Sequence, residues 1–394
     1  MAKEITEPKK AAIEVAKKYE KSVLRSLPLT FRWADHQKTC LRYIMDFSVL
    51  LQAADLRIGD LVLDYAAGSG WVTEWLYRLG FRVVSLDISS DLLRVGRERL
   101  GCDTRIEKIF PAFFVAGDCE RLPFPDNAFD GVICFNSLHH MPDYTVALRE
   151  IHRVLKNGRK AAFSEPGTRH TVSPEAVREM ELYGVLERDL DVREIAGLAE
   201  NIGFSEMDLK PFIYTEHLDY DRRKWEAFLR KEPPVIDDYV GRLIDFLITV
   251  HTVFTLRKGG ARELDSRIPE ALSAHIKLQG VPERIQTGSL IAFRARVKNT
   301  GHSHWLARRT PYGGFVTFGM KVFNEQGAFV TDALGRTDLG KDVAPGLEIE
   351  LEVGFRVELA PGNYRIECDM VDEGIAWFQE IGSKSVTVSL KILE

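Results

Sequence analysis

Three acids and three histidines hold the chemistry of this chain's first half. Asp64 follows the apolar run Leu61-Val-Leu and stands just before a small-residue turn, Ala66-Ala-Gly68-Ser-Gly70; Asp87 ends a second apolar run, Val83-Val-Ser-Leu, 23 residues after Asp64. Glycines let a backbone approach a ligand closely, and a carboxylate at the tip of the next strand can accept hydrogen bonds from a ribose diol. The stretch therefore reads as a nucleoside-binding βαβ unit, with Ile88 beside the ribose acid. A pyrophosphate is disfavoured, because a dinucleotide turn needs a third glycine where Thr73 stands. The alternative is an ordinary turn in another α/β protein. A third strand, Phe113-Phe-Val-Ala, leads to Asp118. Its carboxylate suits an adenine amine, with the Cys119 backbone alongside.

The histidines follow later strands. Asn136 comes directly after Gly131-Val-Ile-Cys-Phe135, and His139 and His140 come next. The strand Lys160-Ala-Ala-Phe-Ser-Glu165 runs into Pro166-Gly-Thr-Arg169-His170. Strand ends on this side of an open α/β sheet line the ligand crevice, which makes Glu165, Arg169 and His170 acceptor-pocket candidates; a solvated loop is the alternative. Histidine titrates near neutral pH and is the natural base for a hydroxyl proton. His139 or His140 takes that role or serves packing, and His170 is a second candidate. With the carboxylates committed elsewhere, no His/Asp/Glu cluster at ligand spacing remains, and no metal is expected.

Asp64-x-Ala66-x-Gly68-x-Gly70 resembles motif I of the class I S-adenosylmethionine (SAM) methyltransferases, D-x-G-x-G-x-G, with Ala66 where the first glycine usually stands. Further on, Asp118…Leu122-Pro-Phe-Pro-Asp-Asn-Ala-Phe-Asp130…Leu138-His-His-Met-Pro-Asp143…Ala147-Leu-Arg-Glu-Ile-His-Arg-Val-Leu-Lys-Asn-Gly158 looks like the ubiquinone/menaquinone-type branch, so the resemblance covers residues 55 to 165. It implies a seven-stranded, doubly wound Rossmann-like α/β sheet and SAM as cofactor. Asp64, Ala66, Gly68 and Gly70 would hold the methionine end and ribose side, Asp87 and Ile88 the ribose, Asp118 and Cys119 the adenine, and Asn136 the methionine ammonium. In many such enzymes an N-terminal segment folds over the cofactor. Arg32, Trp33 and His36 are thus lid and acceptor-pocket candidates, helix packing with solvated charge being the alternative.

The elements that position these groups are legible from periodicity. Apolar residues at helical spacing predict helices over residues 9–27, 36–54, 71–79 and 89–100, and two within 174–201. Residues 207–214 read as strand six and 251–258 as strand seven. Between them a charged and aromatic helical insertion, about 221–248, reads as an acceptor lid or dimer contact. Charges at Arg242, Asp245 and His251 make Val240–Leu256 a buried helix and strand rather than a membrane span. The expected plan is a helical cap at 1–54, a catalytic domain at 55–258, a linker at 259–272 and a β domain at 273–394. In the last, period-two runs such as Ile291/Phe293/Ala295/Val297 predict an immunoglobulin-like sandwich. It resembles sandwich modules attached to bacterial enzymes of surface-polysaccharide assembly, and Trp305, Tyr312, Trp377 and Phe378 could stack on sugar rings or anchor the core.

A net charge of −5 gives no general attraction to nucleic acid or anionic membrane. Five scattered cysteines and a polar N-terminus suggest a reducing, cytoplasmic setting. The leading expectation is O-methylation of a sugar or glycan hydroxyl. The alternatives are methylation of a small lipid-like or aromatic metabolite, with the sandwich making a homo-oligomer, or a non-catalytic SAM- and glycan-binding protein.

Overall fold

The computed structural model describes residues 6–18, 34–104, 109–211 and 221–394. They fall into two compact units, Met1–Arg262 and Glu263–Glu394. In chain order the first unit holds α1 (Glu7–Lys18), α2 (Ala34–Ala54), β1 (Leu61–Tyr65), α3 (Trp71–Arg78), β2 (Arg82–Asp87), α4 (Ser90–Cys102), β3 (Phe113–Ala116) and β4 (Phe129–Phe135). There follow α5 (Tyr144–Val154), β5 (Leu155–Pro166), α6 (Pro174–Tyr183), α7 (Val192–Ile202), β6 (Phe204–Leu209), α8 (Arg222–Leu229), α9 (Pro233–Asp245) and β7 (His251–Lys258).

Strands β1, β2, β4 and β5 are buried nearly throughout because helices cover both faces of the sheet, as parallel strands require. Neighbouring residues point to opposite layers. Leu63, Cys134 and Phe163 pack toward α5 and α7, whereas Val62, Ile133 and Ala162 pack toward α2 and α3. The strand order is β3-β2-β1-β4-β5-β7-β6, with only β7 antiparallel to its neighbours. The order reverses between β1 and β4, which opens a crevice at the C-terminal ends of the strands. Caps set the helix starts at that edge: Ser89 Oγ accepts from Leu92 N at 3.5 Å, and Asp143 from Thr145 N at 2.8 Å.

Some expectations shift. The first helix ends at Lys18, strand six ends at Leu209, and residues 19–33 and 212–220 lie outside the described residues. The helix read as buried over Val240–Asp245 is not: α9 buries no residue, and Val240 and Ile244 are exposed. Beyond it Phe246 and β7 are core. No helix among the described residues is long and apolar enough to cross a membrane.

The second unit is a β-sandwich. Strands β16 (Glu348–Arg356), β11 (Leu290–Asn299) and β9 (Ala274–Gln279) form one sheet, and β10 (Arg284–Gln286), β19 (Val386–Leu393), β17 (Gly362–Asp372), β13 (Val316–Asn324) and β14 (Phe329–Thr331), in that order, run through the other. Their inner faces share one core, from Phe293 and Val353 to Phe318 and Cys368. Residues 263–272, read as linker, belong to this unit, and Leu264–Asp265 pairs with Ser303–His304. Trp305 and Phe378 are fully buried against each other, ring centroids 5.5 Å apart, and cannot stack on a sugar. Trp377 is half-buried with Lys321 and Arg336 over its ring, and Tyr312 is exposed.

Asp372 on β17 (Gly362–Asp372) is fully buried, with no hydrogen-bond partner for either carboxylate oxygen. Burial first, and then the charges of Asp265 and Glu373, push its carboxyl from 3.8 to about 8. The folded state therefore binds this proton more tightly than the unfolded state does. Its contribution to stability is greatest below the ordinary carboxylate range and falls as pH rises toward about 8. Asp372→Asn is expected to raise the melting temperature at pH 8 and to flatten its decline between pH 5 and pH 8, as read by scanning calorimetry of the full chain.

Candidate active site

The turn after β1 places Ala66, Gly68 and Gly70 at φ of 57°, 53° and 71°, all left-handed. Glycine is needed twice. A Cβ on Gly70 would lie 3.0 Å from the Gly96 Cα, where α3 and α4 touch, while Gly68 borders open space on the crevice side. Ala66 adopts a conformation that disfavours a side chain by roughly 1–2 kcal/mol, so the departure at this position is carried as backbone strain.

Asp64 does not reach the crevice. It is buried, and Thr73 Oγ1 donates to its Oδ2 at 2.5 Å while lying 2.6 Å from Ser85 Oγ. Burial raises its carboxyl to about 7. Thr73, the residue that stood where a dinucleotide turn wants glycine, is thus the anchor of the motif acid. Asp87 is placed otherwise. Its Oδ2 accepts from Gly68 N and its Oδ1 from Ser89 N, each at 2.8 Å, which leaves one lone pair on each oxygen for a ribose. Burial raises its pKa, against these two backbone bonds. Ile88 beside it is half-buried.

Asp118 accepts from Glu120 N at 2.9 Å through Oδ1, and its Oδ2 pairs with Lys9 Nζ at 2.7 Å. Lys9 also reaches Glu120 at 2.5 Å, and Ser89 Oγ donates to the Ile13 carbonyl at 3.2 Å. Helix α1 therefore lies across the edge of the crevice from the third strand tip to the second. Sequence reasoning named Arg32, Trp33 and His36 for this cover and missed Lys9. The first two lie outside the described residues, as does the side chain of the third. Cys119 is buried, its carbonyl accepting from Tyr65 Oη at 3.0 Å.

Asn136 sits at φ 47°, a conformation asparagine tolerates, and its N–H donates to the Ser164 carbonyl at 2.7 Å. The next three residues wrap one carboxylate. Glu165, fully buried, accepts from the N–H groups of Ser137, Leu138 and His139 at 3.0, 2.9 and 3.4 Å and from His139 Nδ1 at 2.7 Å. It is no pocket residue. Its charge is spent inside the turn. His139 Nε2 lies 3.2 Å from Glu187 Oε2, and His170 Nε2 lies 2.7 Å from the same oxygen.

Burial alone would lower the pKa of His139, but hydrogen bonds to Glu165 and Glu187 raise it to about 9. Both carboxylates are held low by the same contacts, against burial. His140 differs. Its Nδ1 donates to the Leu186 carbonyl at 2.6 Å, which leaves Nε2 with a free lone pair, and burial plus the charge on His139 lower its pKa to about 4. Arg169 is exposed, its N–H donating to the Thr249 carbonyl at 3.3 Å.

His139, His170 and Glu187 bring ligand atoms within 4.8 Å of one another, so the premise behind expecting no metal does not hold. Glu187 was missed because it lies in the loop between α6 and α7, where nothing in its neighbours marks it out.

The strand order with β7 inserted antiparallel, the glycine turn and the acid-tipped strands agree with a match of residues 63–163 to the family model described as a methyltransferase domain. The first unit carries a class I methyltransferase domain. A demethylmenaquinone methyltransferase of Thermobifida fusca is 42% identical over 113 residues, 29% of this chain and 46% of that protein. A ubiquinone/menaquinone biosynthesis C-methyltransferase of Chromobacterium violaceum is 42% identical over 28% of this chain and 44% of its own. The chain thus spans less than half the length of the curated relatives it matches. A phosphoethanolamine N-methyltransferase of Haemonchus contortus aligns at 20% identity over 55% of this chain and 53% of its own, with a TM-score of 0.40.

Proposed function

We propose that this methyltransferase domain transfers a methyl group from SAM to a small-molecule acceptor. The observation that carries the reading is Asp87, fixed by Gly68 and Ser89 with a lone pair spare on each oxygen beside a turn that opens on the crevice at Gly68. Those residues would hold the ribose, Asp118 the adenine amine, and Asn136 the methionine end. Bound there, SAM supplies an electrophilic methyl on a sulfonium. The chain itself then has to exclude water, orient the nucleophile and, for a hydroxyl, take up a proton. His140 is the group suited to that last task, being neutral and held through Nδ1 with Nε2 unprotonated. Titration calorimetry with SAM and S-adenosylhomocysteine tests the reading, and absence of heat with both would end it.

The acceptor is the finer question. A sugar or glycan hydroxyl is one reading, a small lipid-like or aromatic metabolite the other. Burial of Trp305 and Phe378 removes half of the aromatic platform that the glycan reading rested on, which favours the metabolite. The quinone C-methyltransferases among the relatives point the same way. The sandwich is then an assembly element, in a cytoplasmic setting that keeps all five thiols free. For a hydroxyl acceptor, His140→Ala is expected to lower kcat by about 100-fold or more with little change in SAM affinity. A kcat in His140→Ala equal to that of the wild type, measured at pH 7–8 where the imidazole is neutral, would remove His140 from the reaction.

A further inference from the structure

We propose that His139, His170 and Glu187 form a binding site for one divalent transition-metal ion of the zinc class. The three donors come from separate segments: the turn after β4, the loop after β5 and the loop between α6 and α7. Two imidazoles and one carboxylate are the donor set of metal sites that keep an open coordination position.

The orientation of His139 carries the argument furthest. A carboxylate only accepts, so Nδ1, 2.7 Å from Glu165 Oε2, is the protonated nitrogen when the ring is neutral. Nε2, 3.2 Å from Glu187 Oε2, carries the second proton of the charged ring, and release of that proton to solvent bares the lone pair a metal takes, with His170 Nε2 at 2.7 Å from the same oxygen. Glu165 is in turn immobilised by the N–H groups of Ser137 and Leu138. A buried carboxylate that orients an imidazole whose far nitrogen meets two further donors is the support a metal-ligating histidine needs.

Metal–donor bonds of about 2.0–2.1 Å set tetrahedral donors roughly 3.3 Å apart, so the 3.2 Å pair is already at that spacing, the 2.7 Å pair has to open, and the two imidazole nitrogens, within 4.8 Å of each other, have to settle to the same value. His170, on a loop and partly exposed, can give that much. The site stands at the ends of β4 and β5 beside Asn136, on the acceptor side of the crevice rather than the adenine side. The ligand class for its open position is an acceptor oxygen, hydroxyl or enol, whose proton would leave to solvent more readily on the ion.

The inference stands apart from methyl transfer and is read without cofactor or acceptor. Full-length metal-free protein is titrated with Zn²⁺ by calorimetry and with Co²⁺ by visible absorption. One ion per chain is expected. Glu187→Gln and His170→Ala, checked for folding by circular dichroism, should each weaken binding by more than the roughly 10–100-fold that loss of a supporting partner costs. Cys102→Ser, which removes an exposed thiol, should leave it unchanged. Absence of saturable 1:1 binding overturns the proposal, as does wild-type affinity in both Glu187→Gln and His170→Ala, or loss of binding in Cys102→Ser.

Discussion

Glu165→Ala is expected to destabilise the first unit by about 3–5 kcal/mol, because it strips a buried ion pair of one partner, and to lower its melting temperature by roughly 10 °C. Three backbone N–H groups and the His139 ring lose their acceptor together. The pH dependence gives a second signature. His139 is raised from 6.5 to about 9 in the folded state, so its stabilising contribution is complete below about 6.5 and is lost as pH rises through about 9. Urea midpoints at pH 6.5 and pH 10 should differ in the wild type by more than in Glu165→Ala. Equal midpoints for the two proteins at pH 6.5 would show that this carboxylate does not hold the turn.

Asp87→Ala is expected to weaken SAM and S-adenosylhomocysteine binding by about 10–100-fold, through loss of charge-assisted hydrogen bonds worth about 1–3 kcal/mol. The effect has two sources. The ribose loses an acceptor, and the Gly68 and Ser89 N–H groups that shape the turn lose theirs. Asp87→Asn, which keeps one carbonyl oxygen, should fall between wild type and Asp87→Ala. Calorimetry measures both, and an Asp87→Ala protein with wild-type affinity would separate this acid from cofactor recognition.

The sheet was legible because burial on both faces forces apolar runs, and the runs of β1, β2 and β5 each lead to an acid at a strand end. What a strand-end acid faces is a different matter. Asp64 and Asp87 look alike in sequence, yet the hydroxyl of Thr73 turns one inward while the backbone of Gly68 holds the other at the crevice. Glu165 looked like a pocket residue because it ends a strand, but the turn after β4 closes on it from a neighbouring strand. Glu187 and Lys9 meet their partners only through tertiary packing, His139 and Glu187 being 48 positions apart and Lys9 and Asp118 109 apart. The composition of α9 reads as core, and the structure leaves that face uncovered. Trp305 and Phe378 read equally well as platform or core, because period-two alternation does not tell which end of a sandwich a loop aromatic folds into.

The position of α1 has a kinetic consequence. A nucleoside that is to meet Asp118 has to enter beneath a helix clasped by Lys9 to two carboxylates at 2.7 and 2.5 Å. Opening of the clasp is expected to quicken cofactor exchange, and Lys9→Ala to raise the dissociation rate of S-adenosylhomocysteine in stopped-flow measurements. Mobile ions screen partly exposed pairs, so added salt loosens the clasp, and entry and departure of the cofactor quicken together. The residence time of the spent cofactor, and with it the turnover rate whenever product release is slow, is thus tied to the ionic strength around a single lysine.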